Sequence, residues 1–346
     1  MTLRENTRVV KVGNKYLGGN NPILIQSMCN TKTHDIKSTV EQILKLESYG
    51  CEIIRVAVLD MEDAKSIGAI KKGIHIPLVA DIHFNPELAI ESILQGVDAI
   101  RLNPGNITNK EKIKEIVELC KEKQIPIRIG VNGGSLPKGM ALNSDNMILA
   151  AKSHIDILEE LGFKDIVLSI KASNIKLAKE AYIKASKTFD YPLHVGITEA
   201  GTGFKGLITS SMGLQEILKE GIGNTIRVSL TDDPINEVKA ARVILKELEL
   251  KDMPVMTSCP TCGRTQIDLI PIAKEIEEYL YKVNKHIHVA VMGCVVNGPG
   301  EAREADLGVA GGKGEGLIFS HGKIIKKIKE TEIVSELKKA IDEYEG

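Results

Sequence analysis

Short segments rich in Ile, Val and Leu alternate with amphipathic segments of helical spacing along the first two-thirds of the chain. Strands are predicted at 23–28, 53–58, 78–83, 99–103, 125–132, 165–173, 193–198 and 225–230. Helical patterns follow them, as at 38–48 and 110–122, and the last spans about 234–248. Eight βα units in roughly 250 residues fit a closed (β/α)8 TIM barrel better than an open doubly wound sheet. No G-x-G-x-x-G follows the first strand to suggest a dinucleotide fold. A link at 249–254 leads to a smaller α+β domain, so the expected division is 1–250 and 254–346.

Parallel strands buried on both faces normally read as near-continuous apolar runs, yet several here alternate with polar residues. In Ile100-Arg101-Leu102-Asn103, Ile127-Arg128-Ile129-Gly130-Val131-Asn132 and Ile226-Arg227-Val228-Ser229, the apolar set should face the helices, which turns arginines and amides into the barrel. The same period turns Arg55, Asp81 with His83, Ser169 with Lys171, and His194 inward. Burying an unpaired guanidinium is costly, so a packed core would not select this set. Four arginines and a lysine face two obvious carboxylates, Asp81 and Glu199. One anionic ligand would neutralise the excess, and guanidinium forks match a phosphate or diphosphate. The competing interpretation is that these arginines pair with Asp81, Glu199 or carbonyls and merely plug the barrel; His83 and His194 read first as core histidines.

Composition narrows the partners. The 45 basic and 46 acidic residues give a net charge of −1, with no basic tail, so the electrostatic footprint of a nucleic-acid or membrane-surface binder is missing. Aromatics are 3% and Trp is absent, which disfavours stacking platforms. The segment 1–16 is polar and there is no apolar run of membrane-spanning length, so a cytoplasmic protein is expected. In that reducing setting the late cysteines read as a metal site. Cys259-Pro260-Thr261-Cys262 is a C-x-x-C, and Cys294 follows thirty-two residues on. Three thiolates could hold zinc completed by His286, His288 or His321, or a [4Fe–4S] cluster with one iron left for a different ligand. Spacing leaves both open, and the compartment argues against a Cys259–Cys262 disulfide.

Seven longer motifs run along the chain: Ile25-Gln26-Ser27-Met28, Leu78-Val79-Ala80-Asp81-Ile82-His83, Asn103-Pro104-Gly105-Asn106, Ile125 to Asn132, Gly196-Ile197-Thr198-Glu199-Ala200-Gly201, Cys259-Pro260-Thr261-Cys262 and Cys294-Val295-Val296-Asn297-Gly298-Pro299-Gly300-Glu301-Ala302. In these motifs the chain resembles the bacterial 4-hydroxy-3-methylbut-2-enyl diphosphate synthases, two-domain iron–sulfur enzymes of the non-mevalonate isoprenoid pathway. The resemblance implies reductive ring opening and dehydration of 2-C-methyl-D-erythritol 2,4-cyclodiphosphate, with electrons from ferredoxin or flavodoxin. It implies that Cys259, Cys262, Cys294 and Glu301 hold the [4Fe–4S] cluster, and that Arg55, His83, Arg101, Asn103, Arg128, Asn132, Lys171 and Ser229 hold the diphosphate. Glu199, Asn297 and Glu301 would serve the reacting carbons. It also implies a homodimer in which one chain's barrel meets its partner's cluster domain. A six-residue link, at most about 20 Å when extended, agrees with that arrangement.

The sequence departs from the family pattern at Cys29 and His34, beside the mouth of the first strand. Cys29 reads as an inert buried thiol or, less simply, an oxidation-prone one near the substrate. The glycine-rich run 308–316 lacks the order of a phosphate loop and reads as a turn between strands. A pterin-type barrel with structural zinc, and a scaffold with a zinc module, are the rival functional classes; the inward arginines and Glu301 speak against both.

Overall fold

The computed structural model describes residues 3–137, 139–295, 302 and 304–345. The chain divides after Lys251 into two compact units. The first opens with a hairpin, β1 (Val10–Val12) and β2 (Lys15–Leu17), which the sequence pattern did not announce. Eight parallel strands follow: β3 (Leu24–Met28), β4 (Ile53–Ala57), β5 (Leu78–Asp81), β6 (Ala99–Arg101), β7 (Ile127–Asn132), β8 (Ile166–Lys171), β9 (His194–Val195) and β10 (Thr225–Ile226). Their order is β8-β7-β6-β5-β4-β3-β10-β9. A bridge between Leu168 and Leu193 joins β8 to β9, with Leu168 N–H donating to Pro192 O at 2.9 Å, and closes the barrel.

Among the described residues, each strand is followed by one helix: α1 (Ile36–Ser48), α2 (Met61–Lys72), α3 (Pro86–Leu94), α4 (Lys110–Lys123), α5 (Ser144–Glu160), α6 (Ile175–Thr188), α7 (Gly203–Leu218) and α8 (Pro234–Glu247). Asp35, Asp60, Asn85, Asn109, Asn143, Asn174 and Asp233 start all but α7, each accepting a backbone N–H in the first turn. Such a cap contributes about 1 kcal/mol. It also fixes where each loop at the C-terminal rim ends, and this rim is where the side chains of a TIM barrel do chemistry.

The hairpin caps the opposite end. Val10, Val12 and Leu17 pack with inward Leu24, Ile53, Val79, Ala99 and Val167 into an apolar floor. The barrel is thus sealed below and polar above.

The second unit is a five-stranded sheet, β11 (Val255–Ser258), β12 (His288–Met292), β13 (Leu307–Gly312), β14 (Glu315–Ser320) and β15 (Lys323–Lys329), in sequential order. The first three strands are parallel and the last two antiparallel. Helices α9 (Leu269–Leu280) and α10 (Ile333–Glu343) pack Ile272, Ile276, Leu337 and Ile341 against Val289, Val291 and Val309 of the sheet. The glycine-rich run forms the β13–β14 hairpin, turning at Lys313-Gly314, where Gly314 has φ +66°. Among the described residues, no helix is long and apolar enough to cross a membrane.

Candidate active site

Above the apolar floor, the alternation of each strand turns polar side chains inward. Arg55, His83, Arg101, Arg128, Asn132, Lys171 and Ser229 line one cavity of roughly 270 Å³, together with Asp81, Ser169, His194, Thr198 and Arg227. Two inward glycines make room for the long side chains. A Cβ at Gly130 would lie 2.9 Å from Arg101 Nε, and one at Gly196 would lie 3.0 Å from Lys171 Nζ and 2.6 Å from Arg227 O.

Asp81 sits between Arg55 and Arg101, 3.5 Å from each, with His83 at 3.8 Å. Burial pushes its carboxyl up, but the neighbouring arginines overcome this and hold it below the usual range. Burial lowers Arg55 to about 10 against the opposing pull of Asp81. Arg128 and Lys171 are pushed down by burial first and by the surrounding cations second. Five cations of the cavity wall therefore crowd together, and adding an anion relieves the strain that burial and mutual repulsion create.

The second carboxylate of this network is not the one expected. Glu199 is solvent-exposed with φ +55°, a left-handed conformation uncommon outside glycine. Arg227 is instead held by Glu237 of α8, at 3.2 Å from Nε and 3.3 Å from Nη2. The same carboxylate accepts from Ser27 Oγ at 3.1 Å and Leu230 N at 3.0 Å, and Glu237 is 3% exposed. Sequence reading passed over it as a helix residue. The signal was present: Glu237 falls on the apolar face with Val238, Ala241 and Leu245. Glu237→Ala would leave Arg227 and Leu230 N without their acceptor, and losing one partner of a buried pair costs about 3–5 kcal/mol. A lowered midpoint in urea unfolding is the expected outcome; an unchanged midpoint would mean that Arg227 does not depend on this carboxylate.

Asn103 does not line the cavity. Its amide accepts from Gly130 N at 2.9 Å and donates to Gly130 O at 2.8 Å, and it is 1% exposed. It pins β7 beside β6, and both amide groups are engaged in doing so. His194 bonds Thr225 Oγ1 through Nδ1 at 2.6 Å, while its buried Nε2 has no partner among the described residues. Cys29 is buried and its thiol is pushed up to about 12, burial outweighing the pull of Arg227. It is an inert thiol under ordinary conditions. His34 is held by Asp63 at 3.0 Å.

In the second unit all three late cysteines are free thiols. Cys259 follows β11 and Cys294 follows β12, and Ser258 pairs with Val291 across these parallel strands. Both thiols thus emerge at the same end of the sheet, where Gly293 N–H donates to Cys259 Sγ at 3.2 Å. The loop from Cys262 to Gln266 returns to this end, with Gln266 N–H donating to Gly293 O at 2.8 Å. The exposed Cys262 thiol is held below its ordinary range, chiefly by the backbone N–H of Arg264.

Zinc bonds of about 2.3 Å bring tetrahedral thiolates within about 3.8 Å of one another. Among the described residues, the only trio of potential metal-binding side chains gathered within 4.8 Å is His34, Asp60 and Asp63, not the cysteines. The histidines considered for a zinc site are also misplaced. His288 begins β12, about 13 Å along the strand from Met292 at 3.3 Å per residue, and bonds Thr257 Oγ1 at 2.7 Å. His286 precedes the same strand, and His321 N–H donates to Asp306 O, at that same far end. Three unbridged thiols at one sheet end, with Cys259 Sγ accepting the Gly293 N–H, form a soft donor set of the kind that holds iron–sulfur centres or zinc. Asn297 and Glu301 lie outside the described residues.

Comparison with known proteins agrees with this picture over the length of the chain. Residues 7–242 match the GcpE TIM-barrel domain, and residues 255–343 match the GcpE protein C-terminal domain. A protein of Geobacillus kaustophilus is 58% identical over 345 residues, covering 98% of this chain and 92% of its own length. A protein of Clostridium perfringens is 57% identical, covering 98% of this chain and 99% of its own length. Both are named 4-hydroxy-3-methylbut-2-en-1-yl diphosphate synthase (flavodoxin). Among solved structures, dihydropteroate synthase from Yersinia pestis superposes with a TM-score of 0.52 at 13% identity, covering 70% of this chain and 98% of its own. At that identity the likeness is one of barrel fold alone. With both domain families matched and relatives this similar along their whole length, the chain belongs to the GcpE family of 4-hydroxy-3-methylbut-2-en-1-yl diphosphate synthases.

Proposed function

We propose that the chain carries out the family reaction on 2-C-methyl-D-erythritol 2,4-cyclodiphosphate, opening its ring to 4-hydroxy-3-methylbut-2-enyl diphosphate. Two electrons and two protons enter and one water leaves. The observation that carries this reading is the wall of the barrel cavity, where, among the described residues, Arg55, Arg101 and Arg227 pair with two carboxylates, Asp81 and Glu237, while Arg128 and Lys171 have no ion-pair partner.

Arg55, Arg101, Arg128 and Lys171 would hold the diphosphate by charge, with His83, Asn132 and Ser229 as neutral contacts, while Asn103 fixes the backbone on which Arg128 stands. Guanidinium donors match phosphate oxygens in pairs. Fixed positions for both phosphates set the ring carbons at the rim. Glu199, held at the rim in a strained conformation of the kind that clusters at active sites, would place a carboxylate beside those carbons, with Asn297. Cys259, Cys262, Cys294 and Glu301 would hold a [4Fe–4S] cluster, which supplies single electrons and a Lewis acid for the departing oxygen. A flavodoxin, as in the names of the relatives, or a ferredoxin would deliver the electrons.

Iron and acid-labile sulfide measured after anaerobic purification test the cluster, with stoichiometric zinc and no sulfide as the contrary result. We propose further that two cytoplasmic copies share sites, one chain's cluster serving its partner's barrel. Mixing Arg128→Ala chains with Cys294→Ser chains, each nearly inactive alone, should then restore activity in tagged mixed dimers. Mixed dimers that form and stay inactive would exclude sharing.

A further inference from the structure

Three of the four inward arginines have a carboxylate partner. Arg55 and Arg101 share Asp81 at 3.5 Å each, and Arg227 has Glu237 at 3.2 Å. Arg128 is the most deeply buried of them, at 6% exposure, and it has no carboxylate within ion-pair distance among the described residues. Its partner is an amide. Arg128 Nη1 donates to Gln26 Oε1 at 2.5 Å, and Gln26 is 3% exposed. Because a guanidinium only donates, the amide must present its oxygen. That leaves Gln26 Nε2 facing elsewhere, and neither it nor Arg128 Nη2 finds a partner among the described residues.

A glutamate has the same length and would present the same oxygen with a full charge, relieving the cost of an uncompensated buried cation. The chain places the neutral isostere there instead. The pattern extends one step up the same strand. Met28, two residues on and therefore on the same face of β3, offers its thioether to Arg55 Nε at 3.1 Å, Arg55 Nη2 at 2.9 Å and Arg227 Nη1 at 3.5 Å. The inward face of β3 thus orients three arginines with acceptors that carry no charge.

We propose that Gln26 is a positioning residue that fixes Arg128 without neutralising it, so that the guanidinium charge remains for the anionic substrate. The inference rests on the reading that Arg128 meets the diphosphate. It predicts that stability and affinity move in opposite directions in one variant. Gln26→Glu pairs the buried cation, so its thermal midpoint should rise, while its binding of the cyclic diphosphate weakens by about tenfold or more, the scale of one charge-assisted contact. Gln26→Leu removes the acceptor without adding charge, and both its midpoint and its affinity should fall.

The test is calorimetric titration of the cyclic diphosphate into anaerobically prepared wild-type, Gln26→Glu, Gln26→Leu and Arg128→Ala proteins, with a thermal melt of each. A role in packing alone would lower both quantities in Gln26→Glu, and that result overturns the proposal, as does a Gln26→Glu chain that fails to fold. Wild-type affinity in Gln26→Glu beside weakened binding in Arg128→Ala also overturns it while leaving the diphosphate reading intact. Wild-type affinity in Arg128→Ala removes the diphosphate reading itself.

Discussion

Chains carrying Cys294→Ser, purified without oxygen, are expected to lose most of their iron and sulfide and essentially all turnover. Cys294 is 9% exposed and stands two residues beyond the end of β12, with the N–H of the intervening Gly293 already bonded to Cys259 Sγ. The described part of the site offers only three thiolates, so the substitution removes a third of its sulfur. A serine hydroxyl is nearly isosteric but stays protonated at neutral pH and is a poor ligand for iron, whereas cluster iron is held by thiolate. The unit's core is formed by α9, α10 and the sheet, so the variant should retain its secondary structure. Iron analysis and the visible spectrum read the loss, circular dichroism checks the fold, and cluster content equal to wild type would contradict the ligand assignment.

Arg128→Ala should do the reverse. Its visible spectrum is expected to match the wild type, while affinity for the cyclic diphosphate falls about 10- to 100-fold, the range set by a charge-assisted bidentate contact of roughly 1.5–3 kcal/mol. Stability should suffer little from charge effects, because no carboxylate pairs with Arg128 among the described residues and removing it leaves no orphaned anion. Relief of its repulsion with Arg55, Arg101 and Arg227 acts in the same direction. Calorimetry on the two proteins decides the matter, and equal affinity would remove Arg128 from the diphosphate site.

The barrel was legible because its strands keep two periods at once. Apolar residues such as Ile127 and Ile129 face the helices, and Arg128 stands between them. This alternation also carried the predicted strands too far. At 225–230 it continues through Arg227 and Ser229, yet the ladder of β10 ends at Ile226, because the pattern of side chains outlasts the backbone pairing at the rim. The β1–β2 hairpin stayed hidden since three-residue strands carry no readable period. Glu237 and Gln26 were missed for a different reason. Glu237 accepts from Ser27, 210 residues away, and Gln26 from Arg128, 102 residues away, and only the closed barrel brings these pairs together. The zinc-ligand histidines failed similarly, since spacing cannot tell which end of a sheet a residue occupies.

The most direct test of the whole account is turnover. Anaerobically purified protein is supplied with the cyclic diphosphate and reduced flavodoxin, and the products are resolved by mass and phosphorus NMR. The account predicts consumption of the cyclic compound with one 4-hydroxy-3-methylbut-2-enyl diphosphate formed for every two electrons taken up. Intact cyclic diphosphate in the presence of a fully loaded cluster and an active electron donor would contradict it.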